Sequence, residues 1–396
     1  MRILVVHNRY QQKGGEDTVV ASEDELLRSY GHQVERLNAD NEHIQDLFSR
    51  VKSAVGSVYS LPAKRKLRDV LRTTRPDVVH VHNFFPTLSP SIFSACTEAG
   101  VPVVHTLHNY RIQCAAATLY RDGKVCEECI TSRSFLPGVQ HACYRSSRLG
   151  SAISGASMAL HAEIGTWSSR ISAYIALTEF AAEKLGSYRI PRDKIFVKPN
   201  FVRDRGVGTG EGDYALFVGR LSPEKGIQTL IDADKAGSLC MDVVLLGDGP
   251  MRAQVDQAAA RPGSRLKVRG FVTRDQASYL MKDARVLLMP SLWYEGDPMV
   301  VIEALSLGLP VLAAELGNTA VTVKANHMGA VYPPGDHQGL AERLAWFAAH
   351  PEQVRRMREA ARTYYLATHT PELNYRKLIE IYARAQETAG TERAAV

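Results

Sequence analysis

The feature that most constrains this chain is an alternation. A short continuous apolar run is followed by a stretch with helical spacing, and the pair recurs along the whole sequence. In the first half the runs lie at residues 2–6, 77–81, 101–107, 174–177 and 195–198; in the second half they lie at 214–218, 242–246, 266–269, 286–289, 311–314 and 329–332. Runs this short, apolar without alternation, read as strands buried on both faces, and the stretches between them as crossover helices. The fold class is therefore α/β, with doubly wound parallel sheets.

A chain of 396 residues is too long for one ordinary core. The break is expected at Pro199-Asn200, giving a first domain over 1–200 and a second over 201–373. The stretch Gly206-Val207-Gly208-Thr209-Gly210-Glu211-Gly212 reads as a flexible linker by composition, and a new strand begins at Tyr214. Near the end, residues 374–386 are helix-patterned with Leu378, Ile381 and Tyr382 on one face, and 388–396 reads as a frayed tail.

Composition excludes several classes. With 45% hydrophobic and 23% charged residues, the chain is neither disordered nor collagenous nor a disulfide scaffold. A net charge of +6 suits anionic small-molecule partners but not a polybasic nucleic-acid binder. No apolar run reaches the ~18–20 residues of a membrane span. The block Ile3-Leu4-Val5-Val6 is shorter than the core of a secretory signal. The expected location is cytoplasmic, with cysteines reduced unless they hold metal.

The chemistry is concentrated where strands end. The run ending at Val218 passes into Gly219-Arg220-Leu221-Ser222-Pro223-Glu224-Lys225-Gly226 and then a helix. Such a junction presents free amides, and Arg220 and Lys225 add charge suited to a phosphate; a salt-bridged turn is the alternative. Leu246-Gly247-Asp248-Gly249-Pro250 is a second glycine-bearing strand exit, which by itself also suits a simple tight turn. The segment 290–304 carries Glu295 in a loop and Glu303 one turn into a helix starting near Met299. Paired carboxylates accept hydrogen bonds from a hydroxyl-rich ligand; otherwise Glu295 faces the helix dipole and Glu303 solvent. His108, at the end of the 101–107 run, is followed by Asn109-Tyr110-Arg111, and His80-Val81-His82-Asn83 closes the neighbouring run. His108 suits function or a packed core position. Glu16 suits a ligand contact or a helix start.

Four of the six cysteines cluster as Cys114, Cys126, Cys129 and Cys143, while Cys96 and Cys240 stand alone in apolar surroundings and are expected buried. A C-x2-C pair flanked by two more cysteines is a structural zinc pattern, with His141 available in place of one ligand; free thiols or disulfides are the alternatives. The basic stretch 64–72, with Leu67, Val70 and Leu71 on one face, is first an ordinary docked helix and second a contact for anionic lipid at the inner membrane surface.

Taken together, Gly219-Arg220 with Lys225-Gly226, Gly247-Asp248-Gly249-Pro250, Glu295 with Glu303, Gly14-Gly15-Glu16 and His108 resemble the retaining nucleotide-sugar glycosyltransferases of the family-four type, with the GT-B fold. The resemblance runs the length of the chain, in the family's motif order. It implies two facing Rossmann-like domains with the active site in the cleft, and a last helix, 374–388, packing back on the first domain. It implies a nucleotide-diphosphate sugar as donor, a glycan, lipid-linked or small-molecule acceptor, and no catalytic metal. By the same resemblance Arg220 and Lys225 would neutralise the leaving diphosphate, Glu303 would hold the ribose, and Glu295 a hydroxyl of the transferred sugar. Gly14 and Gly15 would approach the diphosphate, His108 would lie beneath the sugar, and backbone around Phe271 would line the base. Gly219, Gly249, Asp297, Met299 and Val300 complete the donor side; Glu16, His82 and Asn83 form the acceptor side. One departure stands out: where the family commonly has a second glycine, the loop reads Gly296-Asp297-Pro298, and Pro298 has no N–H to offer. A nucleotide-sugar epimerase and a non-catalytic nucleotide-sugar-binding partner are the alternatives, and the intact Arg220, Lys225, Glu295 and Glu303 argue against a dead site.

Overall fold

A computed structural model describes residues 1–8, 14–39, 56–186 and 189–394. The chain forms two compact units: Met1–Leu119, Cys126–Pro199 and Glu372–Val396 make the first, and Tyr120–Val125 with Asn200–Pro371 the second.

The first unit is built on a six-stranded sheet of β1 (Arg2–Asn8), β2 (Gln33–Ala39), β3 (Val78–Asn83), β4 (Val103–Leu107), β7 (Ala173–Ala176) and β8 (Ile195–Val197), in the order β2-β1-β3-β4-β7-β8. Every pair is parallel. Helices cover the sheet, so β3 and β4 are buried along their whole length. Ile3, Val5, Val78 and Val104 form one core with Leu378, Ile381, Tyr382 and Ala385 of the helix Pro371–Ala394. That helix continues through Ala394, so the expected frayed tail from 388 is helical as far as the described residues go.

A short hairpin of β5 (Tyr120–Arg121) and β6 (Lys124–Val125) interrupts the first unit's chain. Of the ten non-glycine residues with positive φ among those described, seven fall in the sequence between 117 and 146: Ala117, Leu119, Asp122, Arg133, Ala142, Arg145 and Ser146. Backbone held in this sparsely populated region needs its surroundings to enforce it.

The second unit's sheet comprises β9 (Tyr214–Val218), β10 (Asp242–Leu246), β11 (Leu266–Gly270), β12 (Val286–Met289), β13 (Val311–Ala314) and β14 (Gly329–Tyr332). Its order, β11-β10-β9-β12-β13-β14, is the doubly wound pattern whose direction reverses between β9 and β12. Ligands bind such sheets outside the carboxyl ends of the strands flanking the reversal, and the loops leaving β9 and β12 carry Arg220 and Glu295.

The glycine-rich stretch before β9 is not a free linker. Gly208, Gly210 and Gly212 donate from their backbone N–H groups to Leu307, Lys282 and Asp283 carbonyls at 2.9, 2.9 and 2.7 Å. A Cβ at Gly208 would lie 2.3 Å from the Lys282 carbonyl oxygen, and one at Gly212 2.6 Å from that of Asp283. Glycine is required there for close backbone approach rather than for flexibility. Cys240 also departs from expectation: it is exposed, whereas Cys96 is buried. No helix among the described residues is long and apolar enough to cross a membrane.

Candidate functional site

In the second unit, the loops leaving β9 and β12 are locked together. Gly226 has φ of 71°, and a Cβ there would fall 1.8 Å from the Pro290 carbonyl oxygen. Leu292 N–H donates to the Glu224 carbonyl at 2.8 Å. This register brings the Lys225 Nζ to 2.7 Å from Glu295 Oε1, an oxygen that also accepts from Ser291 Oγ at 2.6 Å. Burial pushes the Glu295 carboxyl up, but the Lys225 ammonium and the hydrogen bonds from Lys225 and Ser291 outweigh it and hold it below the usual carboxylate range. The site therefore presents a fixed anion beside a fixed cation, with Lys225 Nζ also 5.3 Å from the Trp293 ring centre.

Arg220 differs from Lys225. It is exposed, and its side chain has no hydrogen bond or ion pair among the described residues, although its carbonyl accepts from Ser222 N–H at 3.0 Å. Its guanidinium leaves positive charge at the exit of β9 unpaired among the described residues, and no side chain caps the N-terminus of helix Met299–Ser306, which follows β12. Met299 and Val300 are the first two residues of that helix.

The two glycine loops are structural neighbours. A Cβ at Gly247 would lie 1.9 Å from the Gly219 carbonyl oxygen, and one at Gly249 2.4 Å from that of Leu221. Gly249, expected on the donor side, is thus a residue of close backbone packing. Glu303 is held by Arg274 Nε at 2.6 Å. Arg274 escaped the sequence reading; the Thr273-x-x-Gln276 capping box marks the start of its helix but gives no sign of its pairing with Glu303. Phe271, just past β11, is 86% exposed. Asp297 takes the Asn200 N–H on Oδ2 at 2.7 Å, and its carbonyl takes Asn200 Nδ2 at 2.9 Å. Its carboxylate ties the loop to the segment entering the second unit.

In the first unit, Gly14 caps helix Gly15–Ser29, and beyond its own chain neighbours no atom of the described residues lies within 4 Å of where its Cβ would be. Gly14 N–H donates to Asp17 Oδ2 at 3.0 Å, and Asp17 Oδ1 lies 2.9 Å from His7 Nε2. Glu16 stands 3.7 Å from the other nitrogen of His7.

At the ends of β3 and β4, His82 Nδ1 and His108 Nε2 are 3.0 Å apart. Behind them lies a buried polar network. His80 bonds Tyr382 Oη at 2.8 Å and Thr106 Oγ1 at 2.7 Å. Glu23 is paired with Lys198, which also donates to Asn374 Oδ1 at 3.3 Å. Burial first, then the neighbouring histidines and Lys198, which disfavour a second positive charge there, push His82 and His108 well below the usual imidazole value. Burial takes His80 and His105 down to about 3. All four are neutral near pH 7. Asn83 is engaged with backbone, donating to the Asn8 carbonyl at 3.0 Å and accepting from Phe85 N–H at 3.0 Å.

Glu23, His80 and His82 bring three ligating atoms within 4.8 Å of one another. The donor set does not fit a resident metal. Both His80 nitrogens are already engaged, and the Lys198 ammonium already supplies the cation beside Glu23. Among the described residues this is the one such group, so no three of Cys114, Cys126, Cys129 and Cys143 are gathered to the sulfur spacing of a tetrahedral site, about 3.8 Å. Cys114, Cys129 and Cys143 are nonetheless near one another: burial, then Cys114, with a smaller contribution from Cys143, pushes the Cys129 thiol up to about 11.

Comparison with known proteins gives the class of this arrangement. Two parallel-sheet α/β units with these strand-end motifs form the GT-B glycosyltransferase fold. Sucrose-phosphate synthase from Thermosynechococcus elongatus superposes with a TM-score of 0.69 at 17% identity, covering 100% of both chains. HepE of Anabaena, crystallised with UDP, gives 0.68 at 17% identity over 97% of this chain and 100% of that one. Residues 6–205 match the model of Glycosyltransferase Family 4, and residues 203–364 that of Glycosyl transferases group 1. The chain belongs to glycosyltransferase family 4. It is 30% identical over 179 residues to the amylovoran biosynthesis glycosyltransferase AmsK of Erwinia amylovora, spanning 43% of this chain and 44% of that one. It is 26% identical over 175 residues to 2-deoxystreptamine N-acetyl-D-glucosaminyltransferase of Niallia circulans, spanning 42% and 44%. The matched stretches thus span under half the length of these two relatives.

Proposed function

We propose that the chain transfers a sugar from a nucleotide-diphosphate donor to an acceptor hydroxyl, with retention, in the biosynthesis of a polysaccharide, glycolipid or glycosylated metabolite. The observation that carries this reading is the Lys225–Glu295 pair set beside the unpartnered Arg220 at the reversal of the second sheet. Arg220 and Lys225 stabilise the leaving diphosphate, a role cationic side chains perform without a catalytic metal. Glu295 accepts a hydroxyl of the sugar, and Glu303, oriented by Arg274, the ribose. Phe271 and its backbone line the base. The bond from the anomeric carbon to the diphosphate breaks, the acceptor oxygen bonds to that carbon on the same face, and its proton passes to the freed diphosphate oxygen. The first unit supplies the acceptor side through Glu16, His82 and Asn83, with His108 beneath the donor sugar.

HepE was crystallised with UDP and with UDP-glucose, which makes the uridine series the first donors to test. The experiment follows nucleoside diphosphate release from each nucleotide sugar, with and without added sugar acceptors. Release stimulated by an acceptor supports the transferase. Conversion of the donor sugar without any acceptor supports the epimerase instead.

Two further parts of the reading concern the first unit. The cysteine segment is proposed as a structural zinc loop, because four cysteines fall within thirty residues, Cys114 and Cys143 act on Cys129, and the stretch carries strained backbone; binding would draw the sulfurs together. Helix Leu61–Thr74, which turns Ala63, Leu67 and Leu71 inward, is proposed to present its basic outer face to an anionic membrane. Flotation with anionic vesicles at low salt tests this, and absence of binding contradicts it.

A further inference from the structure

The pocket at the carboxyl ends of β3 and β4 is lined by His82, Asn83, His105, His108, Asn109 and Arg111, among others. Among the described residues no carboxylate lines it, and burial keeps its three histidines neutral. Arg111 is therefore the one fixed charge that the described residues give its wall.

That charge is held rigidly and left unanswered. The Arg111 guanidinium carbon sits 4.2 Å from the centre of the Phe85 ring and 5.6 Å from that of Tyr144, and the two rings meet edge to face. Cation–π contact of this kind fixes the plane of a guanidinium without using its N–H donors. Its backbone N–H is turned to Asn109 Oδ1 at 3.1 Å. Nη1 is buried and has no hydrogen-bond partner, and no acidic residue among those described pairs with the side chain. A buried charged donor with nothing to bond is costly, and native structures rarely keep one without a reason.

We propose that Arg111 forms an anion subsite beside His108 that recognises a carboxylate or phosphate carried by the acceptor. The inference rests on the assignment of the first unit as the acceptor side. A planar guanidinium pre-set between two rings offers two parallel donors, which match two oxygens of either group. The acceptor class is then an acidic sugar or a phosphorylated molecule rather than a neutral glycan end.

The test titrates the full chain, saturated with UDP, with D-glucuronate, with methyl phosphate and with neutral glucose by calorimetry. Wild type, Arg111→Met, Arg111→Lys and Arg220→Met are compared. The proposal expects saturable binding of glucuronate (a carboxylate source) or methyl phosphate (a phosphate source), and tighter binding of either than of glucose. It expects at least tenfold weakening in Arg111→Met. Arg111→Lys keeps the charge but loses the fork, so it serves if the methionine variant does not fold; at least threefold weakening is expected. Absence of saturable binding of both anions, or binding unchanged by either Arg111 substitution, overturns the proposal. So does anion binding lost only in Arg220→Met, which would place the anion in the second unit. UDP titration of the same wild-type protein reads the donor assignment separately, so its failure is distinguishable from failure of the Arg111 subsite.

Discussion

His82 Nδ1 lies 3.0 Å from His108 Nε2; His82 is buried, His108 is half-buried, and both are neutral near pH 7. Two neutral imidazoles in this contact share one proton. The other nitrogen of His82 faces the Glu23 carboxylate at 3.5 Å, whose Oε2 has no hydrogen-bond partner. The carboxylate facing that nitrogen favours a proton on that side of His82, which leaves Nδ1 as acceptor and His108 Nε2–H as donor.

His82→Ala is therefore expected to lower kcat about tenfold or more while leaving the Kd of the donor nucleotide within twofold. His82→Asn, whose amide can accept from His108, is expected to recover part of the loss. Steady-state kinetics with nucleotide titration measure both. An equal loss in kcat and donor binding contradicts a positioning role.

The buried histidines also predict how stability depends on pH. His80 and His105 titrate near 3 when folded and near 6.5 when unfolded. Between those values the unfolded chain binds more protons, so stability falls as pH drops below about 6.5 and goes on falling toward 3. The slope is up to about 1.4 kcal/mol per pH unit for each such histidine. Thermal melts from pH 7.5 to 4.5 should show a progressive fall in Tm, and His105→Phe should flatten it. A constant Tm across that range contradicts the neutral burial.

The glycines divide into two groups that substitution separates. Gly208→Ala places a Cβ 2.3 Å from the Lys282 carbonyl oxygen and should cost about 2 kcal/mol of stability. Gly14 has φ of −125° and open space around it, so Gly14→Ala should fold normally yet weaken donor turnover, because the added methyl occupies the approach to the helix N-terminus. Melting curves and donor kinetics on the two variants give the answer.

Lys225→Met leaves the buried Glu295 carboxylate without its cation. Loss of about 2 kcal/mol is expected, and Lys225→Met with Glu295→Gln should restore most of it, because the cost lies in the uncompensated charge. Turnover should stay at least a hundredfold down in both, since the clamp on the leaving group is gone.

The cysteine segment predicts one zinc per chain by elemental analysis of protein purified without chelator, lost on Cys126→Ser with Cys129→Ser. A metal-free, fully active preparation contradicts the zinc loop.

The parallel strands of both sheets were legible because strands buried on both faces must be continuously apolar. The exception is β2, whose Gln33, Glu35 and Arg36 are exposed. It pairs only with β1, at the sheet edge, and carries no apolar run to betray it. Motif spacing found the Arg220, Lys225, Glu295 and Glu303 set, since strand-end loops keep their chemistry within a few residues. The partners Glu23, Lys198 and Arg274 were not legible. Each is a single charged residue in an ordinary helical or extended context, and only tertiary packing brings it to His82, Glu23 and Glu303. The glycines of 206–212 misled for a related reason: composition reports the missing side chain but not the backbone that occupies its place.

The most direct test of the donor site is a thermal-shift titration of wild type and Arg220→Ala with UDP, GDP, ADP and TDP. Ligand at a hundred times its Kd stabilises the folded state by about 2.7 kcal/mol. A shift with one nucleotide series in wild type, abolished in Arg220→Ala, is the predicted result. A nucleotide shift of equal size in both proteins, or no shift with any of the four, contradicts the assignment of Arg220 and Lys225 as the diphosphate clamp.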